Sequence, residues 1–171
     1  KITPLQSKYR HSDGPRQYSA TLIPTLIFNI LNNNALPIYG KGINSREWIY
    51  VKDHCKGLFD IYKKGKSGEN YNIGTGNDYN NLNLTKLLLK VVKDKKIKIG
   101  KKVKIKFVKD RPGHDLRYAL DSKKITKNLK WRPSKSFESG LKETFEWYYH
   151  NYSFFKNFSK KKFFKRLGLK L

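Results

Sequence analysis

Between Asp110 and Asp121 the chain reads DRPGHDLRYALD, and its proline and glycine leave the backbone little choice. Pro112 presets a negative φ and Gly113 accepts a positive one, which is what the two central positions of a type II turn require. Upstream, Val103, Ile105 and Phe107 alternate with lysines in the period of a half-buried strand. Downstream, Ser122 to Lys130 fits a short helix broken by Trp131-Arg132-Pro133. A strand that enters such a turn and leaves toward a helix is expected to gather Arg111, His114 and Arg117. Two guanidinium forks beside an imidazole suit a diphosphate, because each fork grips phosphate oxygens through paired, charge-assisted hydrogen bonds. Asp110 and Asp115 are placed to orient the arginines. Spacing alone equally allows a turn whose charges are merely solvated.

The rest of the chain alternates short helical stripes with short extended runs, the pattern of an α/β domain. Leu22, Leu26, Ile27, Ile30 and Leu31 recur at helical spacing, and Asn32 to Asn34 end that helix. Leu36 to Gly40 and Arg46 to Val51 read as two extended segments around a Gly40-Lys41-Gly42 loop. Asp53 fits an N-cap, and Cys55, Leu58, Phe59 and Tyr62 follow as one apolar stripe. Asn70 to Ile73 suggests a strand closed by Gly74-Thr75-Gly76-Asn77. Leu84 to Val92 predicts a helix, followed by a lysine-rich connector from Lys93 to Lys102. Leu141, Phe145 and Tyr148 share a face of the last domain helix. Residues 1–13 show no clear period, and Ser12-Asp13-Gly14-Pro15 reads as a turn.

At 171 residues the chain can bury one real core, and 37% hydrophobic residues support a globular protein. No apolar run approaches a membrane span, no secretory pattern opens the sequence, and Cys55 is the sole cysteine, so a reducing cytoplasm is the expected setting. The net charge of +25 would attract polyanions. No nucleic-acid recognition motif accompanies it, which argues against general nucleic-acid binding. Residues 152–171 form a basic tail with paired phenylalanines, and contact with an anionic membrane is the lesser alternative there to a plain basic terminus.

The string DRPGHDLRYALD agrees at every fixed position with the D-R-P-G-H-D-x-R-Y-A-x-D signature of the dTDP-glucose 4,6-dehydratases, members of the extended short-chain dehydrogenase/reductase superfamily, and the chain resembles that family from Gly14 to Asn151. Leu36-Pro37-Ile38-Tyr39-Gly40 resembles the family's nucleobase segment; Tyr39 would offer the base a flat face and Pro37 a rigid edge. Arg46 in Ser45-Arg46-Glu47-Trp48-Ile49-Tyr50-Val51 is similar to the arginine of R-D-W-x-Y-V-x-D-H that holds diphosphate or ribose, with Glu47 standing for aspartate. Asp53 and His54 match the end of that segment and read as capping residues. Tyr71-Asn72-Ile73-Gly74 resembles the family's Y-N-I-G, and Asn81 falls at a nucleotide-contacting asparagine, whose amide can serve a ribose hydroxyl. The resemblance thus implies a substrate-binding set of Pro37, Tyr39, Arg46, Asn81, Arg111 and His114. Leu129-Lys130-Trp131-Arg132-Pro133 resembles the packing motif L-G-W-x-P.

The implied fold is a small mixed α/β substrate-binding portion of an extended short-chain dehydrogenase/reductase, without the Rossmann half. Residues 1–13 are a poorly matched lead-in, 14–151 the sugar-nucleotide-binding domain and 152–171 the tail. The family's G-x-x-G-x-x-G dinucleotide fingerprint is absent from this sequence, so NAD is expected in the complete enzyme and not on this chain alone. Tyr62 with Lys66 and Tyr152 with Lys156 satisfy Y-x-x-x-K but lie downstream of the family's catalytic positions, and no catalytic residue is assigned. The family's lysine in P-E-K-L-I-P is replaced by Thr21. Expected partners are a dTDP-sugar and a cofactor half in cis or in trans, with a homodimer left open. Two alternatives remain: another nucleotide-sugar epimerase or decarboxylase of the superfamily, and a non-catalytic basic module for nucleic acid or membrane.

Overall fold

The computed structural model describes residues 12–13, 22–110 and 112–153; Thr21, Arg111 and the tail from residue 154 lie outside them. The first helix, α1 (Leu22–Leu31), turns Ile23, Leu26, Ile27 and Ile30 into the core. It ends in a Schellman-type cap: Asn33 takes φ +54°, the Asn34 N–H donates to the Asn29 carbonyl and the Asn33 N–H to that of Ile30. The three asparagines thus stop the helix as expected.

Strand β2 (Leu36–Tyr39) follows at once and alternates: Leu36 and Ile38 are buried, while Pro37 and Tyr39 face outward. It pairs in parallel with β6 (Ile105–Val108), Pro37 opposite Lys106 and Tyr39 opposite Val108. The Leu36 and Gly40 N–H groups donate to the Lys104 and Val108 carbonyls, so the alternation turns the Pro37 nitrogen away from β6, where a missing donor costs nothing. Phe107 departs from the expected half-buried pattern: it lies on the same side of β6 as Ile105, which packs against the core, and is nevertheless 56% exposed.

A three-stranded sheet carries the middle of the chain. Strand β3 (Ser45–Glu47) lies between antiparallel β5 (Asp78–Asn80) and parallel β7 (Arg117–Tyr118). Strand β4 (Ile49–Tyr50) pairs in parallel with β1 (Ser12–Asp13), so Ser12 and Asp13 are extended and hydrogen-bonded rather than the start of a turn. Asn70 to Ile73 keeps a strand's period, with Tyr71 and Ile73 buried and Asn72 exposed, yet it has no ladder partner among the described residues.

Helix α2 (Val51–Lys64) overturns two expectations. Tyr50, not Asp53, occupies the N-cap; Asp53 and His54 lie inside the first turns and are buried. The Asp53 carboxylate instead accepts from the Ser134 N–H (3.0 Å) and hydroxyl (2.5 Å) and from the Lys135 N–H (3.1 Å), anchoring the loop before the last helix. The stripe of Cys55, Leu58, Phe59 and Tyr62 faces outward, Tyr62 being 70% exposed. The buried face is the one carrying Gly57, where an added Cβ would stand 3.2 Å from the Trp131 ring, so close approach rather than bulk sets the helix's orientation.

Helix α3 (Asn81–Asp94) is capped by the Asn80 side chain, which accepts from the Asn83 N–H at 2.7 Å. Helix α4 (Lys123–Leu129) is short, and α5 (Phe137–His150) is capped by Ser136. Leu84, Leu88, Leu141, Phe145 and Trp48 join the α1 and β2 residues in the main core. Ile49, Tyr71, Ile73, Ile125, Leu129 and Trp131 form a second one beneath α4. Among the described residues no helix is long and apolar enough to cross a membrane.

Candidate functional site

Arg46 sits at the centre of β3 and is only 6% exposed, although its guanidinium carries a full charge. The sheet accounts for this. Parallel pairing sets Tyr118 of β7 directly opposite Arg46, and the guanidinium carbon lies 4.4 Å from the Tyr118 ring centroid, within cation–π range. One guanidinium nitrogen donates to the Ser45 carbonyl at 2.6 Å and another to the Asp115 carbonyl at 3.0 Å. The Asp115 carbonyl also accepts from the Asn44 amide at 3.2 Å, and the Asn44 carbonyl accepts from the Asn81 N–H at 3.0 Å. A chain of hydrogen bonds therefore links Arg46, the turn after Gly113 and the first residue of α3.

The turn has the backbone its sequence demands, with Gly113 at φ +64°. Beyond it, the His114 side chain is 5% exposed and its Nδ1 lies 2.6 Å from the Asp110 carboxylate. The imidazole meets the Tyr39 ring edge-on at 6.3 Å between centroids. Gly40, at φ +54°, makes room for this arrangement: a Cβ there would come within 2.8 Å of the Asp110 carboxylate. Tyr39, His114 and Asp110 thus form one group, and Arg46, Tyr118, Asn44 and Asn81 form another, joined through the backbone of residues 114–115.

Two expected roles change. Arg117 does not join His114; its guanidinium makes two 3.2 Å hydrogen bonds to the Asp78 carboxylate. That contact, with a further hydrogen bond from the Ser45 hydroxyl, holds Asp78 below the usual carboxylate range. Asp110 pairs with the imidazole, the Asp115 carboxylate accepts from the Tyr118 hydroxyl, and Arg46 is held by the Asp115 backbone. Arg111 lies outside the described residues. Pro37 lines a groove of about 670 Å³ with Phe28, Asn29, Asn34, Lys106 and Val108, on the outer face of β2 that Tyr39 shares.

Glu47, one carbon longer than the family's aspartate, uses its reach. Its carboxylate accepts from the Thr75 and Gly76 N–H groups and, at 2.8 Å, from the Leu120 N–H, clamping β3 to two neighbouring segments. A Cβ at Gly74 would meet this carboxylate at 2.6 Å. The Gly40-Lys41-Gly42 and Gly74-Thr75-Gly76 stretches lead into β3 and β5, not into a helix, and the open sides of Gly40, Gly42 and Gly74 are filled by Asp110, Ile38 with Leu82, and Glu47. They do not make a dinucleotide's phosphate loop, which needs a helix N-terminus behind it. Tyr62 points outward and Lys66 follows the end of α2, so that Y-x-x-x-K pair joins no cluster. Among the described residues no group of three or more His, Cys, Asp or Glu side chains could hold a metal ion. The arrangement combines the buried Arg46 guanidinium with a His114 imidazole that is hydrogen-bonded to the Asp110 carboxylate.

Tyr118 and Asn44 are the members that the sequence reading missed. Tyr118 stands inside the DRPGHDLRYALD string, but only the β3–β7 register brings it to Arg46.

The family model described as GDP-mannose 4,6 dehydratase matches residues 5–144. A dTDP-glucose 4,6-dehydratase of Shigella flexneri is 44% identical over 148 residues, which cover 84% of this chain and 40% of the relative. The crystal structure of dTDP-glucose 4,6-dehydratase from Bacillus anthracis in complex with NAD superposes with a TM-score of 0.76 at 38% identity, over 85% of this chain and 44% of that one. DesIV, the dTDP-glucose 4,6-dehydratase of Streptomyces venezuelae with NAD and TYD bound, gives 0.74 at 40% identity, over 84% and 43%. The chain therefore spans less than half the length of the relatives it matches. With its mixed α/β fold shared with extended short-chain dehydrogenase/reductases, the chain belongs to the GDP-mannose 4,6 dehydratase family, among relatives that are dTDP-glucose 4,6-dehydratases.

Proposed function

We propose that residues 14–151 are the sugar-nucleotide-binding part of a dTDP-glucose 4,6-dehydratase-like lyase, working in the cytoplasm. Pro37 and Tyr39 take the base, Asn81 the ribose, and Arg46, Arg111 and His114 the diphosphate. The observation that carries the reading is the buried Arg46 guanidinium, held against Tyr118 and the Asp115 carbonyl beside the turn that bears His114. Burying a guanidinium is costly unless its hydrogen bonds are made, and a diphosphate meets it with charge-assisted ones. In this reading the chain contributes binding and orientation of the sugar. NAD and the hydride chemistry belong to a cofactor half in cis or in trans, since this sequence carries no G-x-x-G-x-x-G fingerprint. The chain by itself then gives no turnover.

Calorimetric titration with dTDP, repeated with UDP and at raised salt, tests this. Saturable dTDP binding that survives salt, prefers dTDP to UDP, and is lost in Arg46→Ala and weakened in Arg111→Ala is expected. A folded chain that takes up no dTDP, or an Arg46→Ala variant that binds like the parent, refutes it.

A further inference from the structure

The second cluster of cations lies on α4, away from the residues assigned to the sugar nucleotide. Lys123, Thr126, Lys127 and Lys130 follow one another at i, i+3, i+4 and i+7, so they share a face, while Ile125 and Leu129 on the opposite face are buried. With Ser122 and Arg132 they line a groove of about 360 Å³. Its lining holds four cations and two hydroxyls, with no carboxylate and no aromatic ring. The nearby acids are engaged elsewhere: Asp121 accepts from the Lys123 backbone N–H, and Glu69 pairs with Lys124. None of the four groove cations has an ion-pair partner among the described residues.

This clustering works against the fold. Lys123 and Lys127 are like charges one helical turn apart, an arrangement that destabilises an isolated helix. Lys130 sits at φ +56°, where a Cβ is crowded and glycine is favoured, and the packing motif L-G-W-x-P has glycine at this place. A lysine kept there adds charge to the groove at a steric cost.

We propose that this groove binds a short phosphate chain, a diphosphate or triphosphate, at a site distinct from the Arg46–His114 cluster. Ammonium and guanidinium groups supply charge-assisted donors, and the Ser122 and Thr126 hydroxyls supply neutral ones. The volume is that of a small-ligand site. Without an aromatic face the groove has nothing on which to stack a base, so it reads phosphoryl groups alone.

The test is calorimetric titration of the full chain with inorganic tripolyphosphate at fixed salt. Two variants are compared: Lys127→Gln/Lys130→Gly/Arg132→Gln in the groove and Lys98→Gln/Lys101→Gln/Lys102→Gln in the connector. Lys130→Gly relaxes the backbone, so the groove variant keeps its fold, which circular dichroism verifies. We expect the groove variant to lose about tenfold or more in affinity, while the equally discharged connector variant stays within about twofold. Equal losses in groove and connector variants would mean that the net charge alone attracts the anion, and would overturn the site. No binding by the parent chain overturns it too. A thymidine oligonucleotide that binds more tightly than tripolyphosphate and is lost in the groove variant would overturn the small-anion assignment in favour of a nucleic-acid backbone.

Discussion

Asp53→Ala removes a carboxylate that is 2% exposed and accepts three hydrogen bonds from Ser134 and Lys135. Two backbone N–H groups and a hydroxyl lose their acceptor at once. A hydrogen bond to a charged group contributes about 1.5–3 kcal/mol, and the three share one acceptor and do not add, so a loss of about 3 kcal/mol is expected. Asp53→Asn discriminates sharply. Its amide presents one oxygen and one NH₂, so a donor faces a backbone N–H, and about half of the loss should persist. The capping role that the sequence suggests gives other numbers: about 1 kcal/mol for alanine and almost nothing for asparagine, which caps as well as aspartate. Urea unfolding followed by tryptophan fluorescence reads the difference, because Trp131 is 2% exposed and precedes the anchored loop. The midpoint should shift with the slope unchanged. An alanine variant within about 1 kcal/mol of the parent, with a silent asparagine variant, would refute the anchoring account.

Other perturbations test the site and its surroundings. Gly40→Ala combines a positive φ with a clash against Asp110, so it should cost more stability than Gly113→Ala, whose Cβ meets nothing within 4 Å, and it should also weaken dTDP binding; equal effects would mean that the backbone term dominates. Arg117→Gln should leave dTDP affinity within about twofold, since its guanidinium is committed to Asp78, and a loss as large as that of Arg46→Ala would return Arg117 to the diphosphate site. Burial, with a hydrogen bond to Glu143, pushes the Tyr50 hydroxyl up to about 12 from its ordinary 10.0. The folded state therefore favours the neutral phenol, and its contribution is complete below pH 10 and lost as pH rises from there through about 12. Denaturation curves of the parent and Tyr50→Phe should converge over that interval; a constant gap would refute the coupling.

The residues themselves determined what depends on near neighbours. The stripes of α1, α3 and α5 repeat within one or two turns, the asparagines after Leu31 form their cap from adjacent groups, and Pro112-Gly113 dictates its own turn. The DRPGHDLRYALD string identified the family because every fixed position of the signature lies in one continuous stretch. Tertiary structure decided the rest, where partners lie far apart in the chain. The side of α2 that would be buried was set by the fit of Gly57 against Trp131, not by its apolar stripe, since periodicity marks a face without saying what covers it. Asp53 looked like a cap because its acceptors' partners lie some eighty positions away. Arg46 meets Tyr118 and the Asp115 carbonyl only because β3 and β7 run parallel in one register, and Arg117, one residue earlier on β7, is carried by the same pleat toward Asp78. Adjacent strand residues point to opposite faces, so pairing register, which local sequence does not encode, chose which arginine would stand at the site.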